Sequence, residues 1–174
     1  MIVALTLSAI AMTLIVGVRY LIASGAFAWA TKRRHPQLYT GLDKQIAMEI
    51  RWSLKEGDNW AITATALTSK LWLVKQDGAG EWQAKDVATI GDPAKIPLPV
   101  DISISADGKG LWVNTFMDGM TRYFDLTNPE APTQTYAKQT GKQVNMVSQS
   151  WDGKRVYVTS SLLANWDKKG ADNE

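Results

Sequence analysis

The sequence predicts a mainly β chain: a partial β-propeller of about two and a half blades, preceded by an N-terminal transmembrane helix and a short amphipathic helix. Three observations predict it: an uncharged opening, a change of composition near residue 54, and a hairpin motif that occurs twice. Met1 to Val18 carries no charge, and Met1 to Thr31 carries only Arg19. Residues 1–54 hold six basic groups against two acids, whereas residues 55–174 hold 13 against 15. Ser103 to Thr115, with Asp107-Gly108-Lys109 at its centre, is echoed 45 residues later by Ser148 to Ser160 around Asp152-Gly153-Lys154.

Composition removes several classes of function. The chain has 174 residues, no cysteine and one histidine. A disulfide scaffold, a cysteine-ligated zinc site, an iron–sulfur cluster and thiol catalysis are therefore excluded. A formal net charge of +2 gives no electrostatic footprint for nucleic acid.

The elements follow in order. An apolar tract of about 20 residues is what a helix needs to cross hydrocarbon, and residues 2–31 supply it. Tyr20 and Trp29 suit the interface, and Lys32, Arg33 and Arg34 form a basic membrane flank. A signal peptide would begin with positive charge and carry a shorter apolar core. Basic residues beside a span stay cytoplasmic, which places the rest of the chain on the cytoplasmic side of a single-pass membrane protein. Arg19 opposes insertion, at about 2.5–3.5 kcal/mol in mid-helix. His35 is read as a solvated interfacial histidine, and Pro36 ends the first helix. Leu42, Ile46 and Ile50 recur at helical spacing, predicting an amphipathic helix over about 41–54 that lies on the membrane surface. Residues 1–54 thus form a membrane anchor and residues 55–174 the partial propeller.

Beyond Trp60 the pattern shortens to β-rich runs. Ala61 to Leu67, Lys70 to Lys75 and Glu81 to Ala88 are strands, with Asp77-Gly78-Ala79-Gly80 as a turn. Gly91-Asp92-Pro93 and Pro97-Leu98-Pro99 are irregular. Each copy of the repeat is a strand, an Asp-Gly-Lys turn and a second strand, glycine accepting positive φ at little cost. Thr121 to Leu126 is a further strand, and Asn128 to Pro132 a loop. A repeat of this length with several strands per unit marks a propeller. Propellers use about 4–8 blades, so this chain does not close a ring by itself, and its free edges invite self-association or a partner carrying the missing blades.

Two resemblances add to this reading. Arg19-Tyr20-Leu21-Ile22, Ala23-Ser24-Gly25-Ala26, Lys32-Arg33-Arg34 and Glu49-Ile50-Arg51-Trp52-Ser53-Leu54 resemble the start of the fatty acid hydroxylase/sterol desaturase family. That family holds two irons with clustered histidines, which this chain does not have. Residues 60–170 resemble the late part of the selenium-binding protein/methanethiol oxidase family. The likeness runs through Ala66-Leu67-Thr68-Ser69-Lys70-Leu71-Trp72, Val100 to Ser105, Leu111-Trp112-Val113-Asn114, Arg122 to Pro129, Asp152 to Leu162 and Ala164 to Lys168. It implies a seven-bladed propeller, oxidation of methanethiol by oxygen to formaldehyde, sulfide and peroxide, and a copper centre held by histidines. It also implies an extracytoplasmic, periplasmic alternative for the propeller part. No histidine occurs in residues 36–174, so imidazole ligation of copper is impossible there. No metal ligand and no cofactor are expected in this chain alone.

Candidate channel-facing residues are Asp101, Asp118 and Met146. Asp101 shares one side of its strand with Ser103 and Ser105, and the competing reading is a hydrogen-bonded structural aspartate. Asp118 reads as a turn residue. Met146 occupies the repeat position of Asp101 and is read as core packing ahead of a soft copper ligand. Trp112, Trp151 and Trp166 are expected to fill gaps between blades. The functional readings are a methanethiol-oxidase-like protein dependent on missing blades, a membrane-anchored β-rich interaction module, and a desaturase remnant.

Overall fold

Local alternation and turn chemistry make every regular element but one among the described residues a strand. The computed structural model describes residues 45–160. The first sheet contains β1 (Ala47–Trp52), β2 (Trp60–Thr65), β3 (Lys70–Gln76) and β4 (Trp82–Thr89) in sequential antiparallel order. A short 3₁₀ turn at Pro93–Lys95, capped by the Asp92 side chain, leads to the second sheet. That sheet repeats the meander with β5 (Pro99–Ile104), β6 (Gly110–Thr115), β7 (Met120–Asp125) and β8 (Thr133–Gln139). A two-stranded sheet of β9 (Val144–Gln149) and β10 (Val156–Ser160) opens a third unit. The first strands of the three units, β1, β5 and β9, lie side by side. Sequential four-stranded meanders with adjacent first strands are propeller blades.

The repeat seen in sequence is a repeat in space. Ser105 N–H bonds to Gly110 O at 2.8 Å and Ser150 N–H to Arg155 O at 3.0 Å. Asp107 accepts from the Ser105 hydroxyl and from Lys109 N–H; Asp152 accepts from Ser150 and Lys154 in the same way. These donors, the serine hydroxyl first, hold both exposed carboxyls below the ordinary aspartate range. Gly108 and Gly153 sit at φ of 71° and 68°, a region that disfavours a Cβ. The second turn of each full blade repeats as well: Thr65 and Thr115 hydroxyls bond to Lys70 O and Met120 O, and also to Thr68 and Asp118.

The principal apolar core is the seam between the first two blades. Ile62, Leu71 and Ile90 of the first meet Ile102, Ile104, Leu111, Val113, Phe124 and Leu126 of the second. β2 and β6, each flanked by strands on both edges, are buried almost throughout, whereas β8 is exposed at every residue.

Several expectations change. The amphipathic helix expected over about 41–54 is not formed at Ala47–Trp52, which is β1 paired with β2. A spacing of four is even, so Ile46 and Ile50 share one side of a strand as readily as one side of a helix. Met48 and Trp52 complete that alternation. The boundary expected at 54/55 falls in the β1–β2 turn, so the first blade begins upstream of it. Trp151 is fully exposed at a turn rather than filling a gap. Trp112 packs within its own blade, against Tyr123 and Tyr136 with ring centroids at 4.6 and 6.0 Å. The transmembrane helix expected at about 2–31, the flank Lys32, Arg33 and Arg34, His35 and Trp166 all lie outside the described residues. Among the described residues no helix is long and apolar enough to cross a membrane.

Candidate functional site

The inner strands meet through polar side chains that reach from one blade to the backbone of the next. Glu49 and Arg51 alternate with Met48 and Ile50 on β1, so both acid and base leave the same side of the strand. Glu49 Oε2 accepts the Ile102 N–H of β5 at 3.2 Å, while Arg51 Nε donates to Ile102 O at 3.0 Å. Arg51 also forms an ion pair with Glu49. One residue of the second blade, Ile102, is thus held by the first at both its backbone N–H and its C=O.

The second seam uses the same position with other partners. Asp101 is buried, and its Oδ2 accepts Val147 N–H of β9 at 2.6 Å while Oδ1 accepts Ile102 N–H at 2.9 Å. Glu49 and Asp101 are equivalent in the blade repeat, and so are the backbone donors they accept from, Ile102 N–H and Val147 N–H. Asn114 on β6, fully buried, donates Nδ2 to Asn145 O and Met146 O at 3.1 and 2.9 Å. Its Oδ1 is fixed by the Thr121 hydroxyl, which also contacts Thr140. Met146 N–H bonds to the Thr159 hydroxyl.

The sequence candidates are therefore dispersed. Asp101 points across a seam. Asp118 lies in the β6–β7 turn, ion-paired with the buried Arg122 and bonded to Thr115. The Met146 side chain is 59% exposed, not packed in the core. Glu49, Arg51 and Asn114 were not among the candidates. The signal for Glu49 is Glu49 to Ser53 aligned with Asp101 to Ser105, an extra copy of the inner strand concealed by the helical reading. Asn114 carries no signal beyond its place in the repeat.

Electrostatics single out Glu49. Burial, a hydrogen bond with Asp101 and the Asp101 charge push its carboxyl up from 4.5 to about 7, against the opposing Ile102 N–H and Arg51. The pair can hold a proton near neutrality. It does not suit copper, because both carboxylates already accept backbone N–H groups and carboxylate is a hard donor. Among the described residues there is no histidine and no group of three or more histidine, cysteine, aspartate or glutamate side chains arranged to hold a metal. The turns of adjacent blades also enclose two clefts. One, of about 600 Å³, lies between the Ser53–Asp58 and Asp107–Lys109 turns; the other, of about 530 Å³, lies between the Asp107 and Asp152 turns.

Comparison with known proteins gives a consistent family. The family described as 56kDa selenium binding protein (SBP56) matches residues 10–172, which takes in most of the stretch likened above to the hydroxylase family. The chain is 71% identical over 127 residues to a methanethiol oxidase of Hyphomicrobium sp, covering 73% of this chain and 29% of that protein. It is 64% identical over 126 residues to a methanethiol oxidase of Ruegeria pomeroyi, covering 72% of this chain and 29% of the relative. A solved structure described as a hypothetical selenium-binding protein from Sulfolobus tokodaii superposes with a TM-score of 0.61 at 28% identity. That match covers 71% of this chain and 34% of the other. The chain spans about 29% of the length of the two bacterial relatives.

Proposed function

The chain belongs to the 56 kDa selenium-binding protein family, and from that membership we propose that it is an arc of a methanethiol-oxidising propeller. The observation that carries the proposal is the 71% identity over 127 residues to the Hyphomicrobium methanethiol oxidase. On this reading the reaction, methanethiol with oxygen to formaldehyde, sulfide and peroxide, requires the complete ring. The described residues contribute two four-stranded blades and the first hairpin of a third. Copper, which the family resemblance implies, takes its ligands from outside the described residues, whose donor set does not fit it. No step of the reaction is assigned to Glu49 or Asp101.

The surface of β1 supports the need for further blades. Met48, Ile50 and Trp52 alternate along β1 and are each about half exposed, as are Ile46 just before the strand and Leu54 just after it. Trp52 meets Trp82 edge to face at 5.4 Å. A contiguous apolar strip of this kind marks a contact surface, and on this reading the contact is another blade.

The test is complementation. The chain alone, and the chain mixed with the Hyphomicrobium enzyme lacking its matching segment, are compared for methanethiol-dependent oxygen uptake and for a stable complex. Uptake in the mixture and none in the chain alone are expected. Turnover by the chain alone, or no complex with the remaining blades, overturns the proposal.

A second reading, a membrane-anchored β-rich interaction module, is favoured by the nearly uncharged residues 1–31 ahead of Lys32-Arg33-Arg34. Retention in the membrane fraction after carbonate washing is its expected result. Complete release into the supernatant removes the anchor.

A further inference from the structure

We propose that Glu49 and Asp101 form a proton-operated clasp between the first two blades, closed when they share a proton and loosened when that proton leaves. The geometry begins with a single amide. Ile102 N–H is approached by Glu49 Oε2 at 3.2 Å and by Asp101 Oδ1 at 2.9 Å. Two carboxylate oxygens that converge on one hydrogen are brought against each other, and one N–H cannot neutralise two full charges. Like charges in such proximity favour a shared proton.

The surroundings supply little compensation. On β1 the adjacent cation is Arg51, which pairs with Glu49 but is itself divided between that carboxylate and Ile102 O. On β2, Ala64 stands opposite Glu49 and Thr63 opposite Ile50, neither titratable. Asp101 is the only titratable residue of β5, and β9 has none. Asp101 cannot turn away, because its other oxygen holds Val147 N–H of the third unit. The first seam therefore responds to protonation, while the second, built on Asn114 and the same aspartate, is tied to it mechanically.

The sign follows from linkage. The Glu49 carboxyl is raised from 4.5 to about 7 in the fold, chiefly by burial and then by the Asp101 hydrogen bond. The native state then binds more protons than the unfolded state between those values. The seam is tightest below about pH 4.5 as far as this group is concerned, weakens as pH rises through the window, and reaches its loosest state above about 7. Partial exposure of Glu49 screens the effect. With that screening, the seam is expected to open about tenfold more readily at the alkaline end.

Two measurements on the intact chain test this. The ¹³C carboxyl shift of Glu49 is followed from pH 4 to 9, and amide hydrogen exchange at Ile102 is followed over the same range, normalised to the intrinsic rate. Glu49→Gln keeps an oxygen acceptor for Ile102 N–H but cannot titrate. The clasp predicts a Glu49 midpoint near neutrality and an approximately tenfold loss of Ile102 protection across it, absent in Glu49→Gln. A Glu49 midpoint at the ordinary glutamate value overturns the proposal. So does wild-type Ile102 protection that follows the same pH course as the variant.

Discussion

The two blade seams use the same position of the repeat for different physical ends. At the first seam, Glu49 and Arg51 grip the backbone N–H and C=O of one residue of β5, Ile102, above a broad apolar core that includes Ile62, Leu71, Leu111, Val113 and Phe124. At the second, Asp101 and Asn114 grip β9, whose apolar contribution is Val144 and Val147. Burial of apolar area supplies most of the free energy of association. The first seam is thus cemented by packing and tuned by a titratable acid, whereas the second depends on satisfying buried backbone groups. Repetition of a fold does not require repetition of the forces that hold it.

That difference can be broken at its strong end first. Phe124 is 1% exposed within the first seam. Phe124→Ala is expected to lower unfolding free energy by about 3–5 kcal/mol, read by chemical denaturation. A loss under about 1 kcal/mol would mean the apolar seam is not the principal cement.

A smaller effect is expected from Gly119→Ala. Gly119 sits at φ +65°, and a Cβ there would lie 2.1 Å from the backbone oxygen of Gly141, which leads into β9. The left-handed conformation alone costs about 1–2 kcal/mol, and the clash adds to it. Gly80→Ala has φ +82° and open space, so only the conformational cost is expected. Equal losses in the two variants would contradict close approach of the β6–β7 turn to the β8–β9 connection.

The polar seam is sharpened by Asn114→Ala. It strips donors from Asn145 O and Met146 O and an acceptor from Thr121. A loss of about 1–3 kcal/mol is expected, with hydrogen exchange increased in β9 and unchanged in β2. The smallest contrast lies in the repeated turns. Ser105 is buried and Ser150 is not. Ser105→Ala is expected to cost about 1 kcal/mol and Ser150→Ala clearly less.

The turns were the most readable part of the sequence because their chemistry is local. Ser, Asp, Gly and Lys carry the whole hydrogen-bond pattern within six residues, so both copies could be recognised without tertiary information. β1 was concealed because Leu42, Ile46 and Ile50 fit two periods, and only pairing with β2 decides between them. Its turn is also two residues longer, with Ser53 N–H bonding to Trp60 O where Ser105 bonds to Gly110. That insertion hides the additional copy of the repeat and with it Glu49. β8 had no apolar alternation to reveal it: Thr133–Gln139 is an outer strand with solvent along its length. Asp101 was readable as a candidate, but its partner Val147 was not, since a contact 46 residues away depends on how blades stack.

The central claim is that each inner-strand acid fastens its blade to the backbone of the next, making the chain one arc of a ring. Residue-resolved hydrogen exchange on Asp101→Ala tests it most directly. Protection is expected to fall selectively at Val147, with Leu111 and Phe124 still protected. Unchanged protection at Val147, with the variant folded, would contradict the claim.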